Sequence, residues 1–254
     1  MNRETLIRTS LMMTLLVGLV ALSPAQSDSG YNTATSTPEN APSRDSDGGL
    51  MRVEELYLSE RVSMEVAATQ IRTGSREIRL LAIRTIEEQI NRGTIDPASD
   101  DVFQALEPAV NGGVLAFNHS VERSLHIHDP MVRREAVRVM GLLGTERAQA
   151  RLVKLVLNDP EPLVRVQALR GIAGIAIDPT GEVSRAVARA ILREQSGGPH
   201  QETVLSAVIA LDALASNRDN TVHESAREML VQAASDGRFI QLVRRRALEA
   251  LSRM

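Results

Sequence analysis

Three sets of residues hold the chemistry that this chain could carry. His126-Ile127-His128-Asp129 places two imidazoles and a carboxylate within four positions, donors of the kind that bind zinc. Alternating histidines share one side only in extended chain and diverge on a helix, and Asp129 stands where a helix cap is needed. The metal reading is therefore the weaker one. Glu54-Glu55 and Glu87-Glu88 are adjacent carboxylates, but neighbours on a helix point in different directions and do not form an acid–base couple. The third set is a series of arginines, Arg84, Arg134, Arg138 and Arg170, whose forked donors suit carboxylates.

Those arginines belong to an element that recurs. Asp129 to Gly144 reads DPMVRREAVRVMGLLG, and Asp159 to Ile175 reads DPEPLVRVQALRGIAGI. Each has an Asp-Pro start, a Val-Arg pair and apolar residues at helical spacing. Asp can cap a helix N-terminus, and Pro is tolerated at the first helical position, where the N–H it lacks would have no partner. Both segments are thus expected to be helices entered through Asp-Pro. Ala136 and Ala168 lie 32 residues apart, and the pattern continues 39 further at Ala207 and 40 further at Ala247. Ala82, in REIRLLAIRTIEEQI, matches 54 residues before Ala136. Five copies at intervals of tens of residues predict a solenoid, in which each helix pair buries its apolar face by stacking on its neighbours.

The two Asp-Pro segments resemble the second helices of HEAT-type repeats. The resemblance covers roughly Leu50 to Met254 and is sharpest in the two central copies; those at Ala207 and Ala247 lack the Asp-Pro, and the one at Ala82 begins with Ser75. It implies an all-α solenoid of about five helix pairs. It also implies that Asp129, Arg133, Asp159 and Arg165 bond between adjacent repeats, with Arg244 in the matching place. Second helices line the concave face of such a solenoid, so the resemblance places Arg84, Arg134, Arg138 and Arg170 there. On that face they would bind a protein partner or an acidic peptide; a merely solvated face is the other reading.

Composition narrows the function classes. Aromatic residues make up 2% of the 254, with no Trp, so the core must be built from Ala, Leu, Val and Ile. Few stacking platforms remain for bases or sugars, which disfavours nucleic acid. The absence of Cys excludes disulfides, thiolate metal sites, a Cys nucleophile and a lipoprotein anchor. A net charge of −3 gives no global attraction to DNA or an anionic membrane.

In chain order, residues 1–25 read as a signal peptide: Arg3 and Arg8, a twelve-residue apolar run from Leu11 to Leu22, then Ser23-Pro24-Ala25. That run is short for a membrane span, which needs about 20 residues. Cleavage would release the protein into the periplasm or cell envelope, and an uncleaved segment would anchor it to a membrane. Residues 26–49 contain no Val, Ile, Leu, Met or Phe and read as a disordered, flexible linker. Residues 50–254 form the repeat domain, with an enlarged second repeat at 94–128.

Within the repeats, a long first helix through Val62 and Ile71 is followed by Gly74-Ser75 and a partner helix that Gly93 closes. Pro108 is expected to stop a short helix near Glu107, Asn111-Gly112-Gly113 to break the chain, and Val114 to Ile127 to form an additional helix. Thr145 to Asn158, Thr180 to Gln195 and Thr221 to Ala234 are the first helices of the next pairs. Thr221-Val222-His223-Glu224 has the spacing of a capping box.

No P-loop, GxGxxG, HExxH or GxSxG pattern is present, and Asn118-His119-Ser120 fits a glycosylation sequon too short to be specific. The sequence therefore favours a non-enzymatic scaffold or adaptor in the cell envelope, with no cofactor or metal. Two alternatives stay open: an enzyme with a pocket around Phe103, Phe117, His119 and His126, and a structural subunit of an envelope assembly.

Overall fold

The apolar stripes of the repeated segments fold into helices that pair and stack. The computed structural model describes residues 53–111, 129–195 and 198–254. The expected signal and linker at 1–49 and the helix expected over Val114 to Ile127 lie outside the described residues. So do Phe117, His119, His126, His128 and the Asn118 sequon.

Ten α-helices occur among the described residues, and no strand: α1 Val53–Thr73, α2 Arg76–Arg92, α3 Asp100–Asn111, α4 Pro130–Met140, α5 Glu146–Asn158, α6 Pro162–Ile175, α7 Glu182–Gln195, α8 Gln201–Ser216, α9 Glu224–Ser235 and α10 Gln241–Leu251. They pack as the pairs α1/α2, α3/α4, α5/α6, α7/α8 and α9/α10. Each second helix also lies against the next, in the order α2, α4, α6, α8, α10. First helices contact one another from α1 to α3 and from α5 through α7 to α9. Leu50–Met254 is one compact unit. No described helix is long and apolar enough to cross a membrane.

The recurring alanines explain the close stacking. Ala82, Ala136, Ala168, Ala207 and Ala247 sit in the five second helices, and all are buried. Two second helices approach closely where Gly171 of α6 meets Gly141, in the 3-10 turn after α4. A Cβ on Gly141 would lie 2.8 Å from the Gly171 Cα, and one on Gly171 would lie 2.7 Å from a Leu152 methyl. Glycine is required there because backbone meets backbone.

The helix ends show which local signals hold. Ser75 caps α2, and Gly93 closes it with φ 68° in the left-handed region. Asp129 caps α4, accepting from Met131 N at 2.9 Å, with Pro130 in the first turn. Thr145 caps α5. The second Asp-Pro behaves differently from the sequence expectation. Helix α6 starts at Pro162 after Glu161, because a second proline is available two positions later, and Asp159 is released to bond elsewhere. Pro108 does not end α3, which runs on to Asn111. Leu106, Ala109 and Val110 are buried around it, and that burial offsets the backbone bond lost to proline. The capping box at Thr221 is not formed either. Helix α9 begins at Glu224, and the His223 ring nitrogen accepts from Ser225 N at 3.1 Å.

Thr221 is occupied instead in a polar knot between two interhelical loops, built around the buried Asp178. Its N–H donates to the Asp178 carbonyl at 2.8 Å, and the Asp178 N–H donates to the Asn220 side chain at 2.6 Å. The buried Asp178 carboxylate accepts from Val183 N and Ser184 N at 3.0 and 2.8 Å, which caps α7. Asn217 and Asn220 donate to the carbonyl of Ala176, whose φ of 50° is the one left-handed non-glycine conformation among the described residues. Such a conformation costs on the order of 1–3 kcal/mol and persists where surrounding bonds fix it.

Candidate protein-binding face

Two columns of arginine run along the second helices, one inside the stack and one outside. The inner column lies three residues before the recurring alanines, at Arg79, Arg133, Arg165 and Arg244, with Val204 in that place in α8. Arg133 of α4 makes two bonds to Asp159, at the end of α5: Nε to Oδ2 at 2.8 Å and Nη2 to Oδ1 at 3.2 Å. Its side chain is 2% exposed and that of Asp159 0%, and Asp159 also accepts from Glu161 N at 2.9 Å. One helix later, Arg165 of α6 reaches Glu194 near the end of α7 at 2.8 Å and donates to the carbonyls of Asp159 and Pro160 at 3.1 Å. The Glu194 carboxylate in turn accepts from His200 N at 2.9 Å, just before α8. Each arginine thus ties a second helix to the first helix of the following pair. Asp129 ties the first two second helices together, since Arg76 of α2 meets it at 2.8 Å.

Two residues of this inner network are not evident from the recurring motif alone. Arg79 precedes Ala82 by three residues, is buried and donates to the Arg72 carbonyl at 3.3 Å. Its place in the repeat was the available signal. Glu194 stands 13 residues before Ala207, whereas Asp159 stands 9 before Ala168, and this unequal spacing hides the correspondence.

The outer column is the set Arg84, Arg134, Arg138 and Arg170, two residues past the recurring alanines with Arg134 one turn earlier. Arg138 forms a fork with both oxygens of Glu87 on α2 and bonds Glu135 at 3.0 Å. The Glu87 carboxyl is held below its ordinary value chiefly by this bond to Arg138, and the Arg138 guanidinium is raised by the same bond. Arg134 lies 3.4 Å from Glu135. Arg170 of α6 bonds Glu202 of α8 at 2.8 Å. Arg84 is exposed and donates no hydrogen bond among the described residues. Three of the four arginines therefore bond a carboxylate, and Arg84 feels the charge of Glu87 without bonding it.

Large apolar side chains interrupt this charged column. Leu81 stands three residues before Arg84, Met131 seven before Arg138 and Leu163 seven before Arg170, spacings that share one helical face. Ile209 holds the column position itself in α8, and Leu242 precedes Glu249 by seven in α10; all five apolar residues are exposed. The outward face of the second helices is thus a mixed surface, with an exposed apolar residue on each helix beside paired charges.

Of the residues named for the enzyme reading, Phe103 alone lies among the described residues. The Phe103 ring is buried, with the Arg147 guanidinium 4.0 Å from its centroid, so it serves as packing. Among the described residues no group of three or more His, Cys, Asp or Glu is placed to hold a metal ion.

This arrangement defines a class: an all-helical stack of pairs that presents a long preformed surface. Residues 121–173, a stretch that includes α4, α5 and most of α6, match the family model for HEAT repeats. HEAT repeats commonly mediate contacts between proteins. No curated protein matches the chain.

Proposed function

We propose that the protein is a non-enzymatic scaffold or adaptor of the cell envelope that holds a protein partner along the outward face of its second helices. The observation that carries this reading is the alignment of Leu81, Met131, Leu163, Ile209 and Leu242, exposed beside the arginine column. Exposed apolar side chains in a row, flanked by Arg, match the composition of protein interfaces. A preformed face loses little freedom on binding. The partner is a segment with apolar residues and a carboxylate: the apolar residues cover Leu81 and Met131, and the carboxylate meets Arg84. Further acidic residues exchange with Glu87 and Glu202 for Arg138 and Arg170. Export to the envelope rests on the basic and apolar pattern of residues 1–25.

Photo-crosslinkers at Leu163 and, as a control, at Leu192 of α7 test this in cells. We expect a specific adduct from the first site, lost in the variant Leu81→Glu/Arg84→Glu/Met131→Glu when its helicity and melting temperature are unchanged. An adduct that persists in that variant, or one formed equally from Leu192, overturns the assignment of the face.

A further inference from the structure

Stacking buries the same places in every second helix. Four residues before the recurring alanines stand Val132, Val164, Thr203 and Val243, none more than 3% exposed. Each of these helices has the preceding second helix against it. Ile78 holds that place in α2 and is 45% exposed. One residue after the alanines stand Ile83, Val137, Leu169 and Val208, none more than 1% exposed, and each of their helices has a following second helix against it. Leu248 holds that place in α10 and is 58% exposed.

Two open surfaces are thus furnished with interior residues. Val62 and Val66 of α1 are exposed on the side turned away from Met64, Ala67 and Ile71, which pack into the stack. At the other surface, Val231 of α9 is exposed alongside Leu248. Arg244 stands in the place of Arg133 and Arg165, whose acceptors lie on the first helix of the following pair. Its Nε is buried with no hydrogen-bond partner among the described residues.

We infer that these two surfaces are the halves of one contact, and that a second copy of this chain stacks head to tail, α1/α2 of one copy on α9/α10 of the next. The occupant is a copy because one chain carries both halves: residues that a preceding pair covers, and residues that a following pair covers. The contact continues the internal one, two helices against two, with Ile78 of one copy brought against Leu248 of the other. The two patches differ, so the contact is heterologous and each addition leaves a fresh Leu248 surface. Exposed apolar patches of this kind mark association sites.

Sedimentation of the full chain over a range of concentration tests the inference. We expect the average mass to rise with concentration beyond that of two chains. Ile78→Glu alone and Leu248→Glu alone each remain single chains, since each has lost one half; both positions are exposed, so both variants keep the fold. An equimolar mixture of the two variants restores association and stops at two chains, because only one intact pair of surfaces exists. A wild-type chain that stays single at every concentration overturns the inference. So does association that survives in either single variant, or a mixture that shows none. Circular dichroism and melting of each variant confirm that lost association is not lost fold.

Discussion

Arg133 and Arg138 lie five residues apart on α4, and both bind a carboxylate through two donors, yet their surroundings differ. Arg133 and Asp159 are 2% and 0% exposed, whereas Arg138 and Glu87 are 35% and 21% exposed. Identical chemistry therefore has two roles on one helix. The inner pair is sealed, so removing one partner strands a charge without water. The outer pair is partly exposed, so water reaches either group when the other is removed. The contrast separates the arginines that hold the repeats together from those open to exchange with a ligand.

The largest expected effect comes from the inner pair. Arg133→Met leaves Asp159 buried without its partner and is expected to lower stability by about 3–5 kcal/mol. The double variant Arg133→Met/Asp159→Asn is expected to recover much of that loss, as read by denaturant unfolding. Equal losses in the single and double variants would show that packing, and not the stranded charge, sets the cost.

The α4–α6 seam offers a test with no charge involved. Gly171→Ala forces a methyl against a Leu152 methyl and the Gly141 Cα and is expected to cost about 1–3 kcal/mol. Salt should leave that cost unchanged, whereas the outer pair should respond to it. A thermal melt in low and high salt reads both.

The outer pair should give the smallest effect. Arg138→Met is expected to cost about 0–1 kcal/mol at neutral pH, since the pair is screened by solvent. Its pH dependence has a definite sign. Arg138 holds the Glu87 carboxyl below its ordinary value of 4.5, so the stabilisation is present above that value and is lost as pH falls through the lower folded-state value. The melting difference between wild type and Arg138→Met should therefore shrink in acid. A difference that grows as pH falls would mean that Arg138 stabilises the fold through something other than Glu87.

The stack was legible in the sequence because its period is carried by small residues that nothing else explains. Ala82, Ala136, Ala168, Ala207 and Ala247 mark the second helices, and their buried places follow from that spacing. Arg133 and Arg165 were named on the resemblance to HEAT-type repeats, and their bonds run to Asp159 and Glu194. Those partners were less legible: Asp159 stood in a motif that also reads as a helix cap, and Glu194 belongs to a repeat of different length. The Asp178–Asn220 knot joins residues 42 apart, and no local pattern links two loops. Pro108 misled because a local rule about proline gave way to the burial of its neighbours. On the outer face the exposed apolar residues needed the structure, since Leu81 and Leu163 look like core until their direction is known.

The second-helix layer is joined unevenly along its length. Carboxylate–arginine bonds link α2 to α4 and α6 to α8, but between α4 and α6 the backbones themselves touch at Gly141 and Gly171. At those two seams an ion pair can exchange with water, and the glycine contact has no such substitute. The α4–α6 spacing is thus set by main-chain atoms that no side-chain rotation can relieve, whereas the neighbouring seams on either side include side-chain bonds that can re-form.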